Sequence, residues 1–323
     1  MSITAAVAVP HPPLIFPEVG KGREQEIKKT VDAYHQAMDF VASFAPDTIV
    51  LISPHMRWYG DYFHVEQQAE LTDNFEQFGA PEVRITVKAD ADFIKELNAA
   101  CHEKGFPCGV LGEAECKIDH GSFIPLRFLS DVMPNYKVVR IAISGLPVYY
   151  HYVLGQILRE VSDRSGRKTV LIASGDWSHK LKAEGPYGYA EEGPEFDKQI
   201  AHIFETADFE ELLKMPPEFC EAAGECGYRP FVVLAGALDA RNVASSLLAY
   251  EGPFGVGYGV ATFVPQEMNS DRNFGTRYQQ WRQQQLKEQL EREDIYVRLA
   301  RYCVETFVLT GHPAELPPDL PAV

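Results

Sequence analysis

Four runs of this chain, 3–9, Thr48–Ser53, Val138–Ser144 and Thr169–Ser174, are almost wholly apolar or β-branched, and each is followed by a segment with helical periodicity. A strand that is apolar on both faces has to be covered on both faces, whereas a strand open to water on one side alternates. The helical patterns, Glu24–Phe44, Asp90–Glu103, Tyr149–Ser165 and Pro194–Glu205, carry apolar residues three and four apart with polar residues opposite. Strand and helix in alternation predict an α/β fold, a central mostly parallel sheet with helices on both faces. A further apolar helix is expected over Arg229–Ala240, then a Gly-rich loop and a closing strand near Val260–Val264.

Histidines stand where these runs stop. His11 follows the first, His55 the second and His179 the fourth, and His120 lies in Asp119-His-Gly-Ser. Open α/β sheets bind ligands beyond the carboxyl ends of their strands, where loops converge on a rigid frame. Pro10-His11-Pro12-Pro13 and Ser53-Pro54-His55 fix the local backbone, because proline sets its own φ and biases its predecessor away from helix. Several imidazoles at one edge point to a metal.

A third ligand is required, and Glu225, in Gly224-Glu-Cys-Gly-Tyr-Arg-Pro230, has the best acidic context. Two imidazoles and a carboxylate make the facial set that holds Fe(II) with open positions. Cys226 is the competing ligand, and a thiolate favours zinc or copper. Glu225 is placed ahead. His120 and His179 then serve as acid–base groups, with Asp119 and Asp176 beside them. Ser174 and Ser178 lack the G-x-S-x-G elbow, and the G-x-G-x-G tract at Gly255–Gly259 precedes a strand, so neither a serine hydrolase nor a dinucleotide site is favoured. His35, His102, His151, His202 and His312 receive no role, and His64 is left open between a supporting residue and none.

Composition narrows the class. At 46% hydrophobic the chain is not disordered, and 46 Asp+Glu against 30 Lys+Arg would repel phosphate backbones, which excludes nucleic acid as the main partner. Met1–Val9 has no signal-peptide pattern, and no run reaches about 18 apolar residues, so a soluble cytoplasmic protein without a membrane partner is expected. Six cysteines without a C-x-x-C pair give no disulfide framework.

From Asn273 to Arg301 the sequence turns charged and Gln-rich, which predicts one long polar helix and a boundary near residue 268. The domains read as 1–268 and a C-terminal helical extension, 269–323, with an amphipathic helix from Tyr296 towards Pro317-Pro-Asp-Leu-Pro321. A helix polar nearly all round packs on a further domain, packs on a second subunit of a homo-oligomer, or projects into solvent; the sequence leaves the three open.

Pro-His-Pro-Pro, Ser-Pro-His, Asp-His-Gly-Ser, Ser-Gly-Asp-Trp-Ser-His and Glu-Cys-Gly-Tyr-Arg-Pro, in this order over roughly residues 1–265, resemble the class III extradiol ring-cleavage dioxygenases of LigB type and their Memo-like relatives. That resemblance implies Fe(II) on His11, His55 and Glu225, with His120 and His179 flanking a catechol-type aromatic substrate that is cleaved with dioxygen. The Memo-like branch carries a cysteine at the position of Cys226, which implies instead a metal-binding protein without dioxygenase activity, a partner in a radical-SAM system. Residues 296–323 resemble the start of an AMMECR-type domain, called system protein A in AmmeMemoRadiSam clusters, so the chain is expected to be a fragment of a two-domain protein.

Overall fold

The computed structural model describes residues 3–315; the Pro317–Pro321 tract lies outside them. The strands are β1 (Ile3–Val9), β2 (Thr48–Ser53), β3 (Phe63–His64), β4 (Glu70–Phe75), β5 (Ala80–Lys88), β6 (Cys108–Gly109), β7 (Lys137–Ala142), β8 (Thr169–Ser174), β9 (Arg241–Glu251) and β10 (Tyr258–Met268). Six of them form one sheet in the order β7-β2-β8-β1-β10-β9. The first four are mutually parallel, and β10 and β9 continue the sheet antiparallel.

The four parallel strands are the four apolar runs, and β2 and β8 are buried at every position. Ala5, Val7, Val9, Ile49, Leu51, Val170 and Ile172 pack in one core with helices Lys28–Ser43 and His120–Val132. The alternate residues face away, towards helices Val148–Ser165 and Tyr228–Ala237. Each fully buried Val, Leu or Ile contributes about 1.5–3 kcal/mol, which is what makes a two-sided core of this size self-sufficient.

Register matters for function. Val9 is level with Ser174, Ile52 with Ala173 and Ser53 with Ala142, so the chain leaves β1, β2 and β8 at one edge and at one height. Between β2 and the Asp119 turn the chain makes a long excursion: a β4–β5 hairpin, helix Ala91–Glu103 and the short β3–β6 pair. Of these elements only the helix shows a pattern in the sequence.

Two compact units divide the chain, Met1–Gly275 and Thr276–Val323. The polar helix expected from Asn273 and the amphipathic helix expected from Tyr296 are Phe274–Arg292 and Ile295–Thr310, the first ending short of the expected Arg301. The break has a local cause: Asp294 turns out of helical geometry and its Oδ1 accepts the N–H groups of Tyr296 and Val297, both at 2.9 Å, starting a new helix. Among the described residues no helix is long and apolar enough to cross a membrane.

Candidate metal centre

Three ligand atoms from three different loops converge at the carboxyl edge of the sheet. His11 Nε2 lies 3.0 Å from His55 Nε2 and 3.4 Å from Cys226 Sγ, and the three lie within 4.8 Å of one another. A second group on the same sulfur joins Asp176 and His179. His120 completes the cluster, its ring stacked on His55 with centroids 4.2 Å apart and edge-on to His11 at 5.1 Å.

His11 is buried and its ring is fixed from behind. The Ser174 hydroxyl has one proton, and it goes to the Gly121 carbonyl at 2.6 Å. Towards His11 Nδ1, 2.9 Å away, it can therefore only accept, which puts the ring proton on Nδ1 and the lone pair on Nε2. That lone pair faces a second imidazole nitrogen and a sulfur. Such a convergence is satisfied by a shared proton or by a cation. A hydrogen bond that fixes the tautomer of a histidine is the usual support of a ligating imidazole.

Burial pushes the His11 and His55 rings below the ordinary histidine value, His11 strongly, and brings His120 and His179 down to about 4. All four are neutral at pH 7, as metal ligands or proton acceptors must be. Burial likewise pushes the Cys226 thiol well up, with Asp176 and Glu225 adding to the effect. Asp176 is raised to about 7 by burial, against the opposing hydrogen bond from the His11 N–H to its Oδ1 at 2.8 Å.

The loops that carry these groups interlock. The Asp176 N–H points at Cys226 Sγ, 3.2 Å away, and the Gly227 N–H donates to the Asp176 carbonyl at 2.9 Å. A Cβ on Gly175 would sit 2.1 Å from the Gly227 Cα, so only glycine lets the two loops approach this closely. Asp197 holds the same loop from outside, accepting the Ser178 N–H and the Tyr250 hydroxyl, each at 2.7 Å. On the other side, Glu115 accepts the Arg57 N–H at 2.7 Å and an Arg140 guanidinium N–H at 3.2 Å, which anchors the His55 loop to β7.

The structure thus gathers His11, His55, His120, His179, Asp176 and Cys226. It does not bring Glu225 into the group: the Glu225 carboxylate accepts the Tyr228 N–H at 2.6 Å and lines a separate 300 Å³ cavity with Cys220, Glu221 and Arg229. Burial pushes Glu225 up to about 7. Asp119 caps the helix that begins at His120, accepting the Ser122 N–H at 3.0 Å and the Ser53 hydroxyl at 2.5 Å, while its Oδ2 is buried without a partner among the described residues. His64 is buried beside Glu66, Nε2 to Oε2 4.0 Å, outside the cluster. Sequence reasoning did not find Ser53 and Ser174 as supports, Glu115, Asp197, or Tyr187, whose exposed ring lies 5.0 Å from that of His179. Ser53 and Ser174 had a readable signal, since each is the last residue of its strand.

Comparison with known proteins agrees with this architecture. Residues 5–261 match the family described as the catalytic LigB subunit of aromatic ring-opening dioxygenase. The chain is 30% identical over 326 residues to Protein CA_C1420 of Clostridium acetobutylicum, an alignment that covers 99% of this chain and 69% of that protein. It is 24% identical over 294 residues to the 2-aminophenol 1,6-dioxygenase beta subunit of a Pseudomonas species, covering 80% of this chain and 92% of the relative. Among solved structures, the uncharacterized protein JW3007 of Escherichia coli K12 shares the fold, with a TM-score of 0.51 at 17% identity over 81% of this chain and 99% of the other.

Proposed function

This chain belongs to the LigB family of aromatic ring-opening dioxygenase catalytic subunits, and from that membership we propose that it binds one metal ion through His11, His55 and Cys226. One observation carries the reading: Cys226 Sγ stands 3.4 Å from His11 Nε2 while the neighbouring Glu225 carboxylate is bound to the Tyr228 N–H. The donor chemistry fits a cation, for two neutral imidazoles and a sulfur converge with their lone pairs. A thiolate with two imidazoles suits zinc or copper better than Fe(II), which favours the Memo-like branch and a role beside a radical-SAM partner.

When bound, the ion would polarise an oxygen of the substrate or, if redox-active, exchange electrons with it. The chain's own groups set the proton traffic. His120 and His179 start neutral and are free to accept a proton from an acidic hydroxyl. The His179 Nε2 is buried with no partner among the described residues, so it is the acceptor with nothing to give up. Asp176, raised to about 7 by burial, is poised to exchange a proton near neutrality. The exposed ring of Tyr187 lies beside that of His179, at 5.0 Å.

A second reading is supported by the relative named as a 2-aminophenol 1,6-dioxygenase subunit: cleavage of a catechol- or aminophenol-type ring with dioxygen on Fe(II). Metal analysis after anaerobic loading, followed by oxygen uptake with catechols and 2-aminophenol, separates the two. The Memo-like reading expects metal retained by wild type and by Glu225→Ala, lost on Cys226→Ala, and no uptake. Uptake that survives Cys226→Ala and vanishes in Glu225→Ala would overturn it.

A further inference from the structure

The carboxylate that the metal group leaves out borders a cavity of its own. Glu225 accepts the Tyr228 N–H through Oε2 at 2.6 Å, and its Oε1 has no hydrogen-bond or ion-pair partner among the described residues. Arg229 lines the same 300 Å³ cavity, together with Val148, Cys220, Glu221 and Tyr228. Its guanidinium also makes no hydrogen bond or ion pair among the described residues, and its Nε is buried. An acceptor and a fixed cation, four residues apart across a helix start, thus border one space without pairing across it.

A guanidinium cannot shed its proton, so one drawn away from water without a partner carries an uncompensated desolvation cost. A planar carboxylate answers it through two parallel N–H groups. The surroundings favour an anion on that side. Helices Val148–Ser165 and Tyr228–Ala237 both begin at the cavity wall and bring the positive ends of their dipoles to it. Glu221 is exposed, so solvent and salt screen its charge. Glu225 Oε1 calls for the opposite chemistry, an ammonium or an amine N–H. The volume lies at the lower limit of ligand pockets, which sets the ligand's size as small.

We propose that this cavity binds a small aminocarboxylate, its carboxylate on the Arg229 guanidinium and its amino group on Glu225 Oε1. Such a ligand supplies both missing partners at once. A simple anion leaves Glu225 Oε1 unanswered, and a simple amine leaves Arg229 unpaired. The proposal rests on the reading in which Cys226, not Glu225, holds the metal, because a carboxylate committed to the ion is not available to the cavity.

Calorimetric titration of the full chain with glycine, β-alanine and 4-aminobutyrate tests it, with acetate and methylammonium as single-group controls. At least one aminocarboxylate should bind saturably, more tightly than either control. Its affinity should fall by about tenfold or more in Arg229→Met and in Glu225→Gln, the loss of one charged hydrogen-bond partner, and by less in Arg229→Lys, with unchanged circular dichroism. Binding should persist in Cys226→Ala. No saturable binding of any of the three to wild type overturns the proposal, as does equal affinity in Arg229→Met or a control that binds as tightly as the best aminocarboxylate. Binding lost in Cys226→Ala also overturns it, since the ligand would then sit on the ion. Zinc content of the wild-type and Cys226→Ala samples reports the metal reading separately.

Discussion

Ser174→Ala isolates the support of His11 from its packing. The change removes one oxygen from a fully buried side chain and leaves almost no cavity. It deletes two hydrogen bonds, from His11 Nδ1 at 2.9 Å and to the Gly121 carbonyl at 2.6 Å. At about 1 kcal/mol net for each bond the loss is roughly 2 kcal/mol, rising towards about 4 if both partners stay buried and unpaired. For a unit spanning Met1–Gly275, 2 kcal/mol corresponds to a fall in Tm of roughly 3–4 °C. Loss of the tautomer lock should weaken metal binding by about 10–100-fold. Urea denaturation of the metal-free protein reads the first quantity, and competition for zinc against a chromophoric chelator reads the second. Metal affinity equal to wild type, alongside the expected loss of stability, would refute the claim that this hydroxyl prepares His11 as a ligand.

Three further outcomes follow from the same geometry. Gly175→Ala drives a methyl into the Gly227 Cα and should cost about 1–3 kcal/mol or more, with metal binding lost; a normal melting curve would contradict the interlocked loops. His120 and His179 sit at about 4 in the folded protein because of burial, below the unfolded value. Their contribution to stability is therefore present above about pH 6.5 and is lost as pH falls towards 4, by at most about 1.4 kcal/mol per pH unit for each proton; His179→Gln should flatten that acid slope in denaturation midpoints. Asp197 shifts the other way, raised to about 7 by burial, so its contribution is greatest below the unfolded carboxylate range and is lost as pH rises through 7. Asp197→Asn should accordingly gain on wild type between about pH 4 and 7 and keep that gain above it, and parallel pH profiles would refute this.

Much of the frame was legible because buried parallel strands cannot hide polar residues. The runs at 3–9, Thr48–Ser53 and Thr169–Ser174 coincide with β1, β2 and β8. The half-exposed strands were not legible. In β5 every second residue faces water, and β9 mixes small polar and apolar residues along a free edge, so neither shows the dense apolar run that marked the others. The two-residue strands β3 and β6 pair only with each other and are too short to leave a pattern. The last helix was legible from Tyr296, one residue after its start at Ile295, where Asp294 before Ile-Tyr-Val is a helix-start signal; the end of the polar helix at Arg292 was not, because helix formers surround it.

Side-chain direction explains why the site was only half legible. His11 and His55 stand in proline-fixed turns just beyond strand ends, where position implies orientation. Glu225 and Cys226 are adjacent in a turn that leads into a helix, so the two side chains leave the backbone in different directions and only one can face the sheet edge. A carboxylate three residues before the Tyr228 N–H is placed to satisfy the unpaired donors of a helix start, and Glu225 does so. That duty turns its carboxylate away from His11 and leaves the next residue, Cys226, facing the Asp176 loop. Its sulfur is then held there by the Asp176 N–H at 3.2 Å, a contact possible only because Gly175 and Gly227 let the two loops touch. On the proposed reading, the choice between the two candidate ligands is thus made by helix capping and by two glycines remote from each other in sequence.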